Sequence, residues 1–177
     1  ASDVYKRQDY ISRIGRQARE ASRSMARAST AAKNAVLERI AELLLEQEAD
    51  IRAANEADLE AACAEGLDEV FLDRLTISAV GLRAMAEGCR QIAALEDPVG
   101  TVTDLAFRPS GIQVGRMRVP LGVLAMIYES RPNVTIDAAA LAVKSGNAII
   151  LRGGHEALRS NTVLWELVCL LYTSDAA

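Results

Sequence analysis

Two short segments hold most of the residues able to do chemistry. Glu129-Ser130-Arg131-Pro132-Asn133 and Arg152-Gly153-Gly154-His155-Glu156 are polar, proline- or glycine-marked strings in an otherwise apolar region. Arg152 offers a planar fork of donors suited to phosphate. Gly153 and Gly154 allow either close backbone approach to a ligand or a plain strand-to-helix turn. A helix starting after them would favour an anion at its N-terminus. Asn133 follows Pro132 at a helix start, where it either caps the helix or gives its amide to a developing oxyanion. His155 is the only histidine. No nucleophile stands beside it, which argues against a general-base role. The dinucleotide fingerprint GxGxxG is absent.

The elements around these segments determine whether they meet. The run VLAMIY, within 123–128, is continuously apolar and reads as a strand buried on both faces. Residues 134–144 have a helical period, with Ile136, Ala140, Leu141 and Val143 apolar, and Gly146 suits a left-handed helix stop. Residues 147–151 (NAIIL) read as a second buried strand, followed by a helix over 156–168. Strand, helix, strand makes a βαβ unit with parallel strands. Both strands then end at one sheet edge, where open α/β sheets bind ligands. The two polar segments emerge at that edge.

Upstream, the pattern is helical. Tyr10, Ile14, Ala18, Ala21, Met25 and Ala28 form a narrow apolar stripe, and Arg16, Arg19, Arg23 and Arg27 a second, read as a solvated face rather than an anion-binding one. Thr30 is placed to cap a helix carrying Val36, Leu37, Ile40, Leu43 and Leu44, and Gly66 to end the next. A short helix is expected over 68–75 with Val70, Leu72 and Leu75 inward. Another, capped by Thr76 or Ser78, carries Leu82, Met85, Cys89, Ile92 and Leu95. The helical period disappears over 99–119, which reads as a β-hairpin around Ser110-Gly111, either a subunit-contact arm or a surface hairpin.

Composition narrows the function classes. The 177 residues suffice for one domain with a real core. One Trp, four Tyr and two Phe leave that core to Ala, Leu, Ile and Val. A net charge of −4 gives no basic field for nucleic acid or an acidic membrane. The three cysteines, Cys63, Cys89 and Cys169, are scattered, without metal-site or disulfide spacing, as in a reducing compartment such as the cytoplasm. The longest apolar stretch, 121–128, is too short to span a bilayer, and no signal segment is visible.

The stretch VPLGVLAMIYESRPNVTIDAAALAVKSGNAIILRGGHEALRSN, residues 119–161, closely resembles γ-glutamyl phosphate reductase, also called glutamate-5-semialdehyde dehydrogenase, of the aldehyde dehydrogenase superfamily. The likeness extends back through AAKNAVLERIAELL, GLDEVFLDRLT and ALEDPVG, covering about residues 9–168. It implies an α/β fold: N-terminal helices plus the start of a Rossmann-like parallel sheet, with a β-hairpin excursion. It implies NADPH-dependent reduction of γ-glutamyl phosphate to glutamate 5-semialdehyde and phosphate, the second step of proline synthesis from glutamate. A cysteine thiolate attacks the acyl phosphate, phosphate leaves, and hydride reduces the thioester. On this resemblance Asn133 is the oxyanion donor and Arg152 contacts the adenosine ribose or its phosphate. His155 stands where NAD-preferring relatives carry a glutamate, so NADP(H) is the better fit. Gly153 and Gly154 belong to the cofactor loop, and Arg131 is a candidate for the substrate's phosphate or carboxylate.

The family's nucleophilic cysteine lies downstream of everything here, and none of the three cysteines matches its context. The chain therefore reads as the N-terminal part of the NADP-binding domain over 9–168, without the catalytic domain and inactive alone. The full enzyme is expected to be cytoplasmic and homo-oligomeric, with 99–119 as a candidate oligomerisation arm. Residues 1–8 (ASDVYKRQ) and 169–177 (CLLYTSDAA) resemble translated sequencing-adapter read-through and are read as non-native tails, frayed native ends being the alternative. The competing readings are another aldehyde dehydrogenase superfamily member, and a non-catalytic nucleotide-binding or subunit-contact module.

Overall fold

A computed structural model describes the backbone of residues 2–174 and the side chains of 8–169. Five helices come first: α1 (Ser2–Met25), α2 (Thr30–Glu46), α3 (Glu48–Ala64), α4 (Glu69–Leu75) and α5 (Ala79–Ala94). An antiparallel hairpin follows, β1 (Val102–Phe107) with β2 (Gln113–Met117). Then come β3 (Val123–Ile127), α6 (Asn133–Lys144), β4 (Ala148–Arg152), a 3₁₀ turn (His155–Ala157) and α7 (Leu158–Ser174). Helix α1 runs through residues 2–8 and α7 through 169–174, so both proposed tails are partly helical.

Local chemistry sets the boundaries. Ser29, not Thr30, caps α2: its hydroxyl accepts from Ala32 N–H at 3.2 Å. Thr30 instead donates to Asp97 at 2.7 Å, one residue inside the helix. Asp68 and Ser78 cap α4 and α5 through their side chains, which satisfies N–H groups that lack helical partners. Gly66 and Gly146 take φ of +77° and +70° just beyond α3 and α6, a conformation costly for any residue with a Cβ.

The main core lies between α2, α5, α6 and α7. Leu37, Ile40, Leu44, Leu82, Ile136, Val143, Leu164 and Val168 are buried there, and Ala86, Ala93, Ala139 and Ala140 let the helices approach closely. A smaller cluster joins Ala62, Leu75 and Ala157, with Phe71 and Leu72 packed on it. Val70 faces solvent, because the seven-residue α4 turns only Leu75 fully inward. Tyr10 and Leu95 are exposed as well, each lying outside the packed four-helix core.

Strands β3 and β4 are parallel, with Val123 opposite Ala148 and Ile127 opposite Arg152. The βαβ reading therefore holds. The expectation that β3 is buried on both faces does not: Met126 and Ile127 are exposed. Helices α1 and α6 both pack on β4, whereas β3 is touched only lightly by α1. An apolar run requires cover, but that cover has to come from elements remote in sequence. The hairpin is exposed along both strands.

Candidate active site

The parallel register carries both strand ends to one edge of the sheet. Tyr128 N–H, one residue past β3, donates to Arg152 O at 3.0 Å. Beyond that bond the segments diverge, 129–132 towards α6 and Gly153-Gly154 towards α7. They stay in contact. Ser130 Oγ donates to Glu156 Oε2 at 3.1 Å. A Cβ on Gly154 would collide with Glu156 Oε2 and press on Ser130 Oγ, and one on Gly153 would collide with Asn161 Nδ2 and crowd Tyr128. The glycines thus have a packing reason inside the chain itself: they let the second loop lie flat against the first.

A polar chain lies beneath these glycines. Tyr128 Oη and Thr135 Oγ1 are 2.6 Å apart, and Thr135 Oγ1 donates to Asn161 Oδ1 at 2.9 Å. With both hydroxyl protons assigned, the Tyr128 hydroxyl donates to Thr135. Burial raises the Tyr128 phenol pKa, partly offset by the Thr135 hydrogen bond, so the phenol stays protonated and able to donate. The end of β3, the first turn of α6 and the first turn of α7 are thereby locked together.

Asn133 is the first residue of α6, and Pro132 occupies the cap position. Its side chain makes no cap bond. Instead Nδ2 donates to Asp137 Oδ2, one turn along the helix, at 3.3 Å. The amide is exposed and lines a cleft of about 300 Å³ between α6 and the start of α5, with Ile77, Met85 and Pro132 among the apolar walls. Partial burial raises the Asp137 carboxyl pKa, and the Asn133 hydrogen bond pulls it back down.

Arg152 ends β4 with its side chain exposed, and no ion pair among the described residues includes it. Arg131 is likewise exposed. His155 is exposed beside Glu156, with Nδ1 3.4 Å from Oε1. The Glu156 carboxyl is held below its usual range first by its own backbone N–H, against burial, and then by Ser130 and His155. The anion site expected at the following helix is already filled from within. Asp58 on α3 accepts from Arg159 N–H at 3.3 Å, and from Ser160 N–H and Ser160 Oγ at 2.8 Å each. Those amide donors are taken, so positive charge at this edge comes from arginine side chains.

This arrangement has close counterparts. The γ-glutamyl phosphate reductase of Thermotoga maritima is 40% identical and superposes with a TM-score of 0.85 over 88% of this chain. That of Saccharomyces cerevisiae is 33% identical, TM-score 0.86, over 90% of this chain. The chain has the aldehyde dehydrogenase fold and is similar to part of a γ-glutamyl phosphate reductase. It spans 38% and 40% of the length of those two chains. A probable aldehyde dehydrogenase from Listeria monocytogenes shares the fold at 14% identity and TM-score 0.68. No family model matches this chain.

Sequence reasoning placed Glu156 at the rim without a role and missed Asn161, Thr135 and Asp137. Glu156 and Asn161 hold the second loop, and Thr135 joins them to α6. Asp137 shares the cleft with Asn133, and its i+4 spacing on the helix was the available signal.

Proposed function

We propose that this chain is the N-terminal part of an enzyme that reduces γ-glutamyl phosphate with NADPH to glutamate 5-semialdehyde and phosphate, in proline synthesis from glutamate. The observation that carries this reading is the shared sheet edge, where the loops bearing Asn133 and Arg152 are hydrogen-bonded to each other. The likeness to two γ-glutamyl phosphate reductases supports it.

The residues present fit a nicotinamide nucleotide. Arg152 offers a guanidinium that no ion pair among the described residues engages, free for a ribose 2′-phosphate, and the position after the glycines holds His155 rather than a carboxylate that would repel one. The Gly153-Gly154 backbone and His155 form the loop alongside. NADPH, when bound, supplies the hydride. Asn133 then donates from Nδ2 to the acyl oxygen as it gains negative charge, and Arg131 meets the departing phosphate or the substrate carboxylate. The attacking thiolate comes from a catalytic domain outside this chain.

Residues 9–168 are then the N-terminal part of the NADP-binding domain, with 1–8 and 169–177 as non-native tails. The hairpin 99–119, with Leu105, Phe107, Ile112 and Met117 exposed, serves as a subunit-contact arm in a homo-oligomer. The three free cysteines accord with a cytoplasmic setting.

The test is the full-length parent enzyme, assayed for phosphate-dependent reduction of NADP⁺ by glutamate 5-semialdehyde. Asn133→Ala should lower kcat by roughly 10²-fold or more while the KM for NADP⁺ changes little. An unchanged kcat would reject the oxyanion role, and no turnover by the unsubstituted enzyme would reject the whole reading.

A further inference from the structure

We propose that the cleft between α5 and α6 holds the α-ammonium group of the glutamyl substrate, with Asp137 as its counter-ion. This rests on the reductase reading and adds the residue that would make the site prefer an amino acid.

Thr76, Ile77, Met85, Pro132 and Asn133 are apolar or neutral, and Asp137 is the only charged side chain among the lining residues. Arginine and lysine are absent from that lining, and no ion pair among the described residues includes Asp137. A carboxylate beside apolar walls, with no cation among the lining residues to offset it, attracts a cation. It also repels anions. Of the groups on γ-glutamyl phosphate, the phosphate and the α-carboxylate are anionic and only the α-ammonium is cationic. The cleft therefore selects one end of the molecule.

The spacing agrees. In a glutamyl group, three C–C bonds and one C–N bond of about 1.5 Å each separate the reacting carbon from the ammonium nitrogen, an extended reach of about 5 Å. Asn133 Nδ2 and Asp137 Oδ2 are 3.3 Å apart. Each adds a hydrogen bond of about 2.9 Å towards its own end of the substrate. Together the amide and the carboxylate can address two groups about 5–6 Å apart. Both project from successive turns of one helix, so their separation is fixed by the backbone rather than by loop motion. Burial raises the Asp137 pKa, and a bound ammonium would relieve that cost.

The test uses the full-length parent enzyme in the oxidative direction with two aldehydes, glutamate 5-semialdehyde and 5-oxopentanoate, which lacks only the amino group. Asp137→Asn should lower kcat/KM for the amino substrate by about 30-fold more than for the deaminated one, the usual scale for a hydrogen bond to a charged group. Asp137→Glu, which keeps the charge, should retain most of the preference. Equal losses on both aldehydes would overturn the ammonium assignment and make Asp137 a support for Asn133 alone. No loss on either would overturn it as well. Absence of turnover by the unsubstituted enzyme on both aldehydes would instead overturn the reductase reading, and this inference with it.

Discussion

Ser130 and Glu156 lie 26 positions apart in sequence and share a hydrogen bond of 3.1 Å, which ties the loop after β3 to the loop after β4. The oxyanion donor and the cofactor arginine are proposed to belong to these two loops, so this bond sets how the two halves of the rim face each other. Ser130 is buried, and removing its hydroxyl leaves the carboxylate with its own backbone N–H and His155. Ser130→Ala in the full-length enzyme should raise the KM for NADPH a few-fold. A double-mutant cycle with Glu156→Gln should show a coupling of about 1 kcal/mol. A coupling of zero would mean that the loops are held by the Tyr128–Thr135–Asn161 chain instead.

Arg152 is the exposed cation at the end of β4, and the α7 amides that might have shared its task are occupied by Asp58. Selectivity for a 2′-phosphate should then depend heavily on this side chain. Arg152→Ala is expected to raise the KM for NADPH by about tenfold or more and that for NADH by much less. Equal effects on the two cofactors would reject a 2′-phosphate contact. The substitution leaves Asp58 undisturbed, because Asp58 bonds to Arg159 and Ser160, not to Arg152.

Much of this frame was readable from local pattern. The β3–α6–β4 order follows from two short apolar runs flanking a helical period, and Gly66, Gly146 and Ser78 mark boundaries through backbone chemistry that is local by nature. The unread part is non-local. Asp58 meets Ser160 across 102 positions, and Thr135 meets Asn161 across 26. No periodicity encodes such partners, since each side chain alone reads as a surface polar group. The exposure of β3 was missed for the same reason. Apolarity states that a strand wants cover, but the helices that supply it pack on β4.

At the other end of α6 from the rim, Asp97 ties the first turn of α2 to the segment between α5 and β1. It pairs with the buried Lys33 and accepts from Thr30 at 2.7 Å and from Val99 N–H at 3.0 Å. Burial opposes its ionisation, but Lys33, Thr30 and Val99 together bring its pKa from 3.8 down to about 2. A depressed folded-state value contributes stability that is present above the unfolded pKa and lost as pH falls through the folded one. The pair should therefore stabilise the protein fully above about pH 4–5 and fade between there and pH 2. Asp97→Asn is expected to cost about 2–3 kcal/mol at pH 7, read as a lower denaturation midpoint, and to lose that difference at pH 2. A variant equally destabilised at both pH values would show that packing, not charge, is what Asp97 supplies.

The cysteines test the placement of the nucleophile outside this chain. Cys89 is buried in the main core, and burial, with the Asp137 carboxylate adding to it, pushes its thiol up to about 12. At pH 8 only roughly one molecule in 10⁴ would carry the thiolate, the form that attacks carbonyls and labelling reagents. Cys63 is exposed on α3 and absent from the cleft lining. Native labelling with a disulfide reagent at pH 8 should therefore modify Cys63 within minutes and Cys89 only after unfolding. Cys63→Ser in the full-length enzyme should leave kcat within about two-fold, because an exposed helix-surface thiol outside the lining of the Asn133 cleft has no reacting atom to meet. Loss of turnover in that variant would bring the nucleophile back inside this chain and overturn the division of labour proposed here.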